Sequence, residues 1–220
     1  MAELDIEQAR HNMVEQQVRT WDVLDQRVLD TLLQVPREDF VPPAYRNLAF
    51  TDMELPLGQG EVMMSPKLEG RMLQALEVTQ EDTVLEVGTG SGYVTGLLAR
   101  LARVVYSVDI HAEFTEAARR KLAEHSIHNI ALETGDAANG WDQRGPYDVI
   151  AVTGSVPVLT DVYTRSLKEG GRLFIIVGEP PAMEALRIVR LEGGHLHQES
   201  LFETVLPPLV NTPQPRRFSL

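Results

Sequence analysis

The run Val84-Leu85-Glu86-Val87-Gly88-Thr89-Gly90-Ser91-Gly92-Tyr93 constrains this chain more than any other stretch, because an apolar segment ends in an acid and then in three alternate glycines. A short apolar run bounded by glycine reads as a buried strand. Glycine at every second position lets the chain turn sharply after that strand and lets backbone come within contact distance of a ligand. Residues 93–103 then read as a helix whose N-terminus faces the same point. Strand, glycine turn and helix in this order predict a nucleotide-like ligand at the turn.

Two details narrow the ligand. The spacing G-x-G-x-G differs from the dinucleotide fingerprint G-x-G-x-x-G, and Glu86 stands two residues before the first glycine. A carboxylate there repels a pyrophosphate but suits an ammonium or sulfonium, as in S-adenosyl-L-methionine. The β-branched run at 104–108 ends at Asp109, twenty-one residues beyond Gly88. An acid at the tip of the second strand is where doubly wound folds hold a ribose diol. Asp136, in Gly135-Asp136-Ala137 after a third strand-like run, is placed to accept from an adenine amino group.

From residue 83 onward the pattern alternates: strands near 83–87, 104–108, 129–133, 147–153 and 172–177, with helices between them. That rhythm predicts an α/β, doubly wound, mostly parallel sheet in three layers. The loops after its strands share one edge, so Glu86, Asp109, Asp136 and Thr153 border one crevice. Runs at 186–191 and 197–205 flank Glu192-Gly193-Gly194 and predict an antiparallel C-terminal edge hairpin. Such a sheet is the architecture of class I methyltransferases. Before it, 5–35 reads as two amphipathic helices, 35–50 as loop with short turns, 55–66 as irregular, and 67–76 as a helix.

A length of 220 residues suits one buried α/β core with an added segment, divided here as 1–78 and 79–220. Cysteine is absent, which excludes disulfides, thiolate metal sites and a cysteine nucleophile. The N-terminus lacks a basic and apolar leader pattern, so a cytoplasmic protein without membrane association is expected. A formal charge of −12 opposes a nucleic-acid partner. No metal is expected: His195 and His197 beside a glycine turn read as surface residues.

The chain resembles the protein-L-isoaspartate O-methyltransferases over nearly its whole length. The blocks that carry this are residues 10–17, Val35-Pro36-Arg37-Glu38 with Phe40-Val41-Pro42, Leu55-Pro56-Leu57-Gly58-Gln59-Gly60, the glycine loop with Tyr93, Gly135-Asp136 with Gly140-Trp141, Pro146-Tyr147-Asp148, and Gly170-Gly171 with Val177-Gly178. The resemblance implies a seven-stranded core, an N-terminal helical extension that helps cover the substrate, and S-adenosyl-L-methionine as cofactor. It carries cofactor contacts onto Glu86, Gly88, Gly90, Asp109 and Asp136, with Thr89, Ser91, Ile110 and Ala137 beside them. It implies methylation of the free carboxylate of isoaspartyl residues in damaged proteins; a monomer or weak homodimer is expected.

Departures fall around the acceptor. Where the family has Gln-Thr-Ile-Ser-Gln-Pro, with hydroxyls beside the substrate carboxylate, this chain has Glu61-Val62-Met63-Met64-Ser65-Pro66. Val205-Leu206-Pro207-Pro208-Leu209 stands in place of Arg-Phe-Val-Pro-Leu, and Ala137-Ala138-Asn139 replaces a glycine and an aromatic pair. Ser65 and Thr153 are therefore the catalytic candidates. An ionised carboxylate needs no strong base at pH 7, and alignment is the main task. A different small-molecule or protein acceptor, or a non-catalytic cofactor-binding role, stands as the alternative.

Overall fold

Side-chain parity along the strands divides the interior into two faces of one sheet, and a computed structural model describes this arrangement for residues 5–215. Helix α1 (Ile6–Met13) starts at Asp5, whose carboxylate accepts from Gln8 N at 3.0 Å. It runs on through a π-turn, Val14–Val18, and a 3₁₀ turn, Arg19–Trp21. Helix α2 (Gln26–Gln34) is capped by Asp25 and buries Val28, Leu29 and Leu32. A single turn, α3 (Arg37–Phe40), and a 3₁₀ segment, Pro43–Leu48, fill the proline-rich stretch expected to hold short turns.

The segment read as irregular is instead an antiparallel ribbon, β1 (Leu55–Gly58) with β2 (Glu61–Met63). Its turn needs left-handed backbone at Gly58, Gln59 and Gly60 in succession, and glycine supplies two of the three. Helix α4 (Pro66–Leu76) follows, with proline at its first position.

The core comprises β3 (Thr83–Val87), α5 (Tyr93–Leu101), β4 (Val104–Asp109), α6 (Ala112–Glu124), β5 (Ile130–Thr134), β6 (Tyr147–Val156), β7 (Leu167–Glu179), β8 (Ala182–Arg190) and β9 (Leu196–Glu203). The seven strands lie in the order β5-β4-β3-β6-β7-β8-β9. Pairing is parallel from β5 to β7 and antiparallel for the last two pairs. The chain runs from β3 outward to β5 and then returns to β6 on the opposite side of β3, which opens a crevice at the strand tips. The mostly parallel sheet and its antiparallel C-terminal hairpin bear out the sequence reading. Strand β8 begins four residues earlier than expected, at Ala182, so β7, β8 and β9 form a meander.

Helices were expected between all the parallel strands, but only α5 and α6 form. Residues 135–146 and 157–166 hold 3₁₀ turns, Asp142–Arg144 and Thr164–Ser166. Gly135, Gly140 and Gly145-Pro146 break the first segment, and aromatic side chains replace a helical layer over it. Trp141 rests on Gly135, where a Cβ would fall 2.6 Å from the indole. Tyr147 Oη donates to Trp141 O at 2.7 Å and Tyr163 Oη to Ala137 O at 2.9 Å.

Val84, Val105, Val149 and Phe174 face the helices, while Leu85, Ile150, Leu173 and Ile175 face the turns. Met13, Leu32 and Met72 belong to the same cluster as Val84 and Leu97, so residues on both sides of position 78 share one core. No helix among the described residues is long and apolar enough to cross a membrane.

Candidate functional site

Hydrogen bonds to the neighbouring strands hold the glycine loop in place. Gly88 N donates to Val108 O at 2.8 Å, Gly90 N donates to Asp109 Oδ2 at 2.8 Å, and Thr153 Oγ1 donates to Gly88 O at 2.7 Å. Asp109 Oδ1 accepts from His111 N at 2.9 Å. The carboxylate at the tip of β4 is thus fixed to the loop after β3, and each oxygen keeps a further lone pair for a ligand. The glycines make room for neighbouring protein. A Cβ on Gly92 (φ +82°) would meet Ala118 of α6 at 2.7 Å, and one on Gly88 (φ +99°) would meet Thr153 Oγ1 at 2.4 Å.

The loop forms one wall of a cavity with about 850 Å³ of space, part of it open to solvent. The β1–β2 ribbon stands opposite, and Leu57 lies 3.1 Å from the Cβ position of Gly90. Residues 206–210 form a third wall. They are bound to the end of β6 by Ser155 N to Pro207 O at 3.0 Å and Leu209 N to Ser155 O at 2.9 Å. Gly154 leaves room for Leu209, which a Cβ there would approach to 2.6 Å. Asn211 Nδ2 donates to Asp136 Oδ2 at 2.9 Å and ties this segment to the turn after β5.

Of the residues singled out from the sequence, Gly88, Thr89, Gly90 and Ser91 line the cavity, as do Asp109, Ile110, Asp136, Ala137 and Thr153. Glu86 and Ser65 do not, and both expectations are corrected. Glu86 shares its side of β3 with Val84, so its carboxyl points beneath α5, where Thr95 Oγ1 donates to it and Ser107 of β4 is its register neighbour. Its Oε1 is buried with no hydrogen-bond partner among the described residues, and burial pushes the group up to about 8; the hydroxyls of Ser107 and Thr95 oppose the shift and Asp109 adds to it. Ser65 is the N-cap residue of α4, buried outside the cavity, and its carbonyl accepts from Leu68 N and Glu69 N.

Thr153 lines the cavity, but its hydroxyl proton is directed at Val87 O and Gly88 O.

The structure also places residues that the sequence reading passed over. Glu69 is fully buried on α4 and lines the cavity. Its Oε2 pairs with the buried Arg37, which also donates to Ala49 O at 2.8 Å and Met64 O at 2.7 Å and lies 5.0 Å above the Tyr93 ring. Burial pushes Glu69 up to about 7 against the charge and hydrogen bond of Arg37. The spacing of Leu68, Met72, Leu73 and Leu76 already puts position 69 on the inner face of a helix, the signal that marked it. His111 lies edge-on to Phe114 at 5.2 Å, with Nε2 3.8 Å from Glu61 Oε1. Glu61 is itself raised by burial and by Asp109, with His111 opposing. Among the described lining residues, four carboxyls (Glu61, Glu69, Asp109, Asp136) meet one histidine and no lysine or arginine.

A seven-stranded sheet of this order, with a glycine turn after β3 and an acid at the tip of β4, defines the class I methyltransferase fold. Residues 8–214 match the sequence model of the protein-L-isoaspartate(D-aspartate) O-methyltransferase family, and the chain belongs to that family. It is 38% identical over 201 residues to a protein-L-isoaspartate O-methyltransferase of Koribacter versatilis, covering 91% of this chain and 90% of that protein. The corresponding enzyme of Petrotoga mobilis is 36% identical over 208 residues, covering 94% and 98%.

Two solved structures share the fold. One is a Plasmodium falciparum chain described as a protein-L-isoaspartate O-methyltransferase in complex with S-adenosyl-L-homocysteine, with TM-score 0.78, 18% identity and coverage of 94% and 99%. The other is a protein-L-isoaspartate O-methyltransferase with TM-score 0.80, 23% identity and coverage of 93% and 67%.

Proposed function

We propose that this chain methylates the free carboxylate of isoaspartyl residues in damaged proteins, with S-adenosyl-L-methionine as donor. The observation that carries the reading is the bond from Gly90 N–H to Asp109, which makes the glycine loop and the second-strand acid one surface of the cavity. An acid-rich lining without lysine or arginine fits a ligand with sulfonium and ammonium charges and disfavours a pyrophosphate. When bound, the cofactor would supply a methyl group made electrophilic by its sulfonium.

The chain's own residues then bind, orient and exclude water. Asp109 keeps lone pairs for the ribose hydroxyls, and Asp136 and Ala137 border the place for the adenine. Gly88, Thr89, Gly90, Ser91 and Ile110 complete the cofactor side. Thr153 positions the loop, and Ser65 acts through the start of α4 rather than on the acceptor. Met63, Met64 and residues 206–210 form an apolar wall that keeps the acceptor dry, and residues 1–78 serve as its cover. An acceptor already ionised at pH 7 asks for alignment, not for a base. The reading extends to a cytoplasmic monomer or weak homodimer acting without nucleic acid or membrane, supported by the charge of −12 and the lack of cysteine.

Incubation with methyl-labelled cofactor and matched isoaspartyl and aspartyl peptides tests the proposal. Label entering the isoaspartyl peptide alone is the expected result; background incorporation into both would contradict it.

A further inference from the structure

Glu69 uses only one of its two carboxyl oxygens. Oε2 takes Arg37 Nη1, while Oε1 is buried with no hydrogen-bond partner among the described residues, in a side chain that lines the cavity. The same guanidinium donates to Met64 O, so it fastens the Glu69 carboxyl to the wall formed by Val62, Met63 and Met64. Those three side chains offer a charged acceptor no hydrogen-bond donor. Thr153 spends its proton on Val87 O and Gly88 O, and Thr89 pairs with Ser107 at 2.6 Å. The lining's other side-chain donors are Ser91 of the glycine loop and His111 after β4, so a carboxylate carried against the Val62–Met64 wall would be desolvated without a partner there, which is costly for an ion.

We propose that Glu69, protonated on Oε1, is the donor that holds one oxygen of the acceptor carboxylate while Oε2 stays with Arg37. The inference rests on the carboxyl-methylating reading above. A neutral carboxyl offers one O–H donor and keeps an acceptor oxygen, so it satisfies Arg37 and the substrate together. The acceptor's second oxygen is left free to form the new O–CH₃ bond as the donor's S–CH₃ bond breaks and that electron pair passes to sulfur, and Glu69 keeps its proton throughout.

Burial already favours the acid form at about 7, and a second carboxylate alongside disfavours ionisation further. The groups facing Glu69 are Arg37 of α3 and Tyr93 of α5, with the Arg10–Glu38 pair of α1 and α3 behind them. Arg37 is the cation that opposes the proton. The Tyr93 phenol, raised by burial and by Glu69 itself, stays neutral.

The test uses the full chain and Glu69→Gln, whose amide keeps a donor and an acceptor but does not titrate. Binding of an isoaspartyl peptide is measured by calorimetry at about pH 8, with S-adenosyl-L-homocysteine present, in two buffers of different ionisation heat. In parallel, kcat/KM is followed from about pH 6 to 9. The wild type should take up close to one proton per peptide bound, and its kcat/KM should fall roughly tenfold per pH unit above about 7. Glu69→Gln should take up none, and the activity it retains should show no such decline with pH.

Wild-type binding without proton uptake would overturn the proposal, even if the variant failed to fold. So would a variant that retains cofactor affinity yet shows the same uptake and decline as wild type. Methyl transfer absent from the wild type at every pH would overturn the carboxyl-methylating reading itself.

Discussion

Glu86 shows how a single side chain can be legible as a residue type and misplaced in role. Its position two residues before Gly88 marks it as part of the loop, but strand parity puts it with Val84 under α5 and leaves Asp109 as the acid at the crevice. The energetic consequence is measurable. A carboxyl raised to about 8 from an ordinary value near 4.5 binds its proton more tightly in the folded chain than in the unfolded one. Its favourable contribution is therefore complete below about 4.5 and is lost as pH rises through about 8. Glu86→Gln removes the titration, so the variant should match wild type near pH 4.5 and exceed it by a few kcal/mol by about pH 9 in urea unfolding. A constant difference across that range would show that Glu86 is already ionised in the fold. Glu69, raised to about 7, acts in the same direction over a lower window.

At the scale of elements, what the sequence made readable was whatever local periodicity encodes. Helices α2, α4, α5 and α6 and strands β3 to β7 each carry their own hydrophobic repeat, and their order identified the sheet. The ribbon at residues 55–63 and the helix-poor face were not readable in the same way, because both depend on partners distant in sequence. The ribbon is short and apolar without clear alternation, and its tip bonds to α6 through Gln59 Nε2 to Glu113 Oε1 at 2.6 Å. Segments 135–146 and 157–166 have the spacing for helices but are held as turns by Trp141, Tyr147 and Tyr163.

The closeness of α5 to α6 is an element-scale claim with its own test. An alanine at position 92 would place a Cβ 2.7 Å from Ala118 Cβ and force a side chain into left-handed backbone. Gly92→Ala should cost about 1–3 kcal/mol of unfolding free energy, read as a lower urea midpoint. Adding Ala118→Gly should recover the steric part and leave the backbone part. Wild-type stability in Gly92→Ala would mean that the two helices are not packed this closely.

Over the whole molecule, the account joins two regions that the sequence presented separately. The blocks before residue 78 and the sheet after it contribute to one core and to one cavity, with Arg37 and Glu69 on the first side and the glycine loop and Asp109 on the second. The fold and the cavity wall made by the glycine loop and Asp109 could be read from motifs, because they come from backbone turns and strand tips at fixed spacing. The opposite wall could not, because it is built from a buried ion pair and from residues 206–210 folding back over β6.

A ligand that binds only the folded chain raises the stability of the whole molecule, by about 2.7 kcal/mol at a hundredfold excess over Kd. Thermal unfolding with and without S-adenosyl-L-homocysteine, for wild type and Asp109→Asn, therefore tests the central claim that loop and strand-tip acid form one cofactor surface. The wild-type Tm should rise by about 5–10 °C at saturating ligand, and the variant should show little or no rise. An unchanged wild-type Tm, or an equal rise in both proteins, would contradict it.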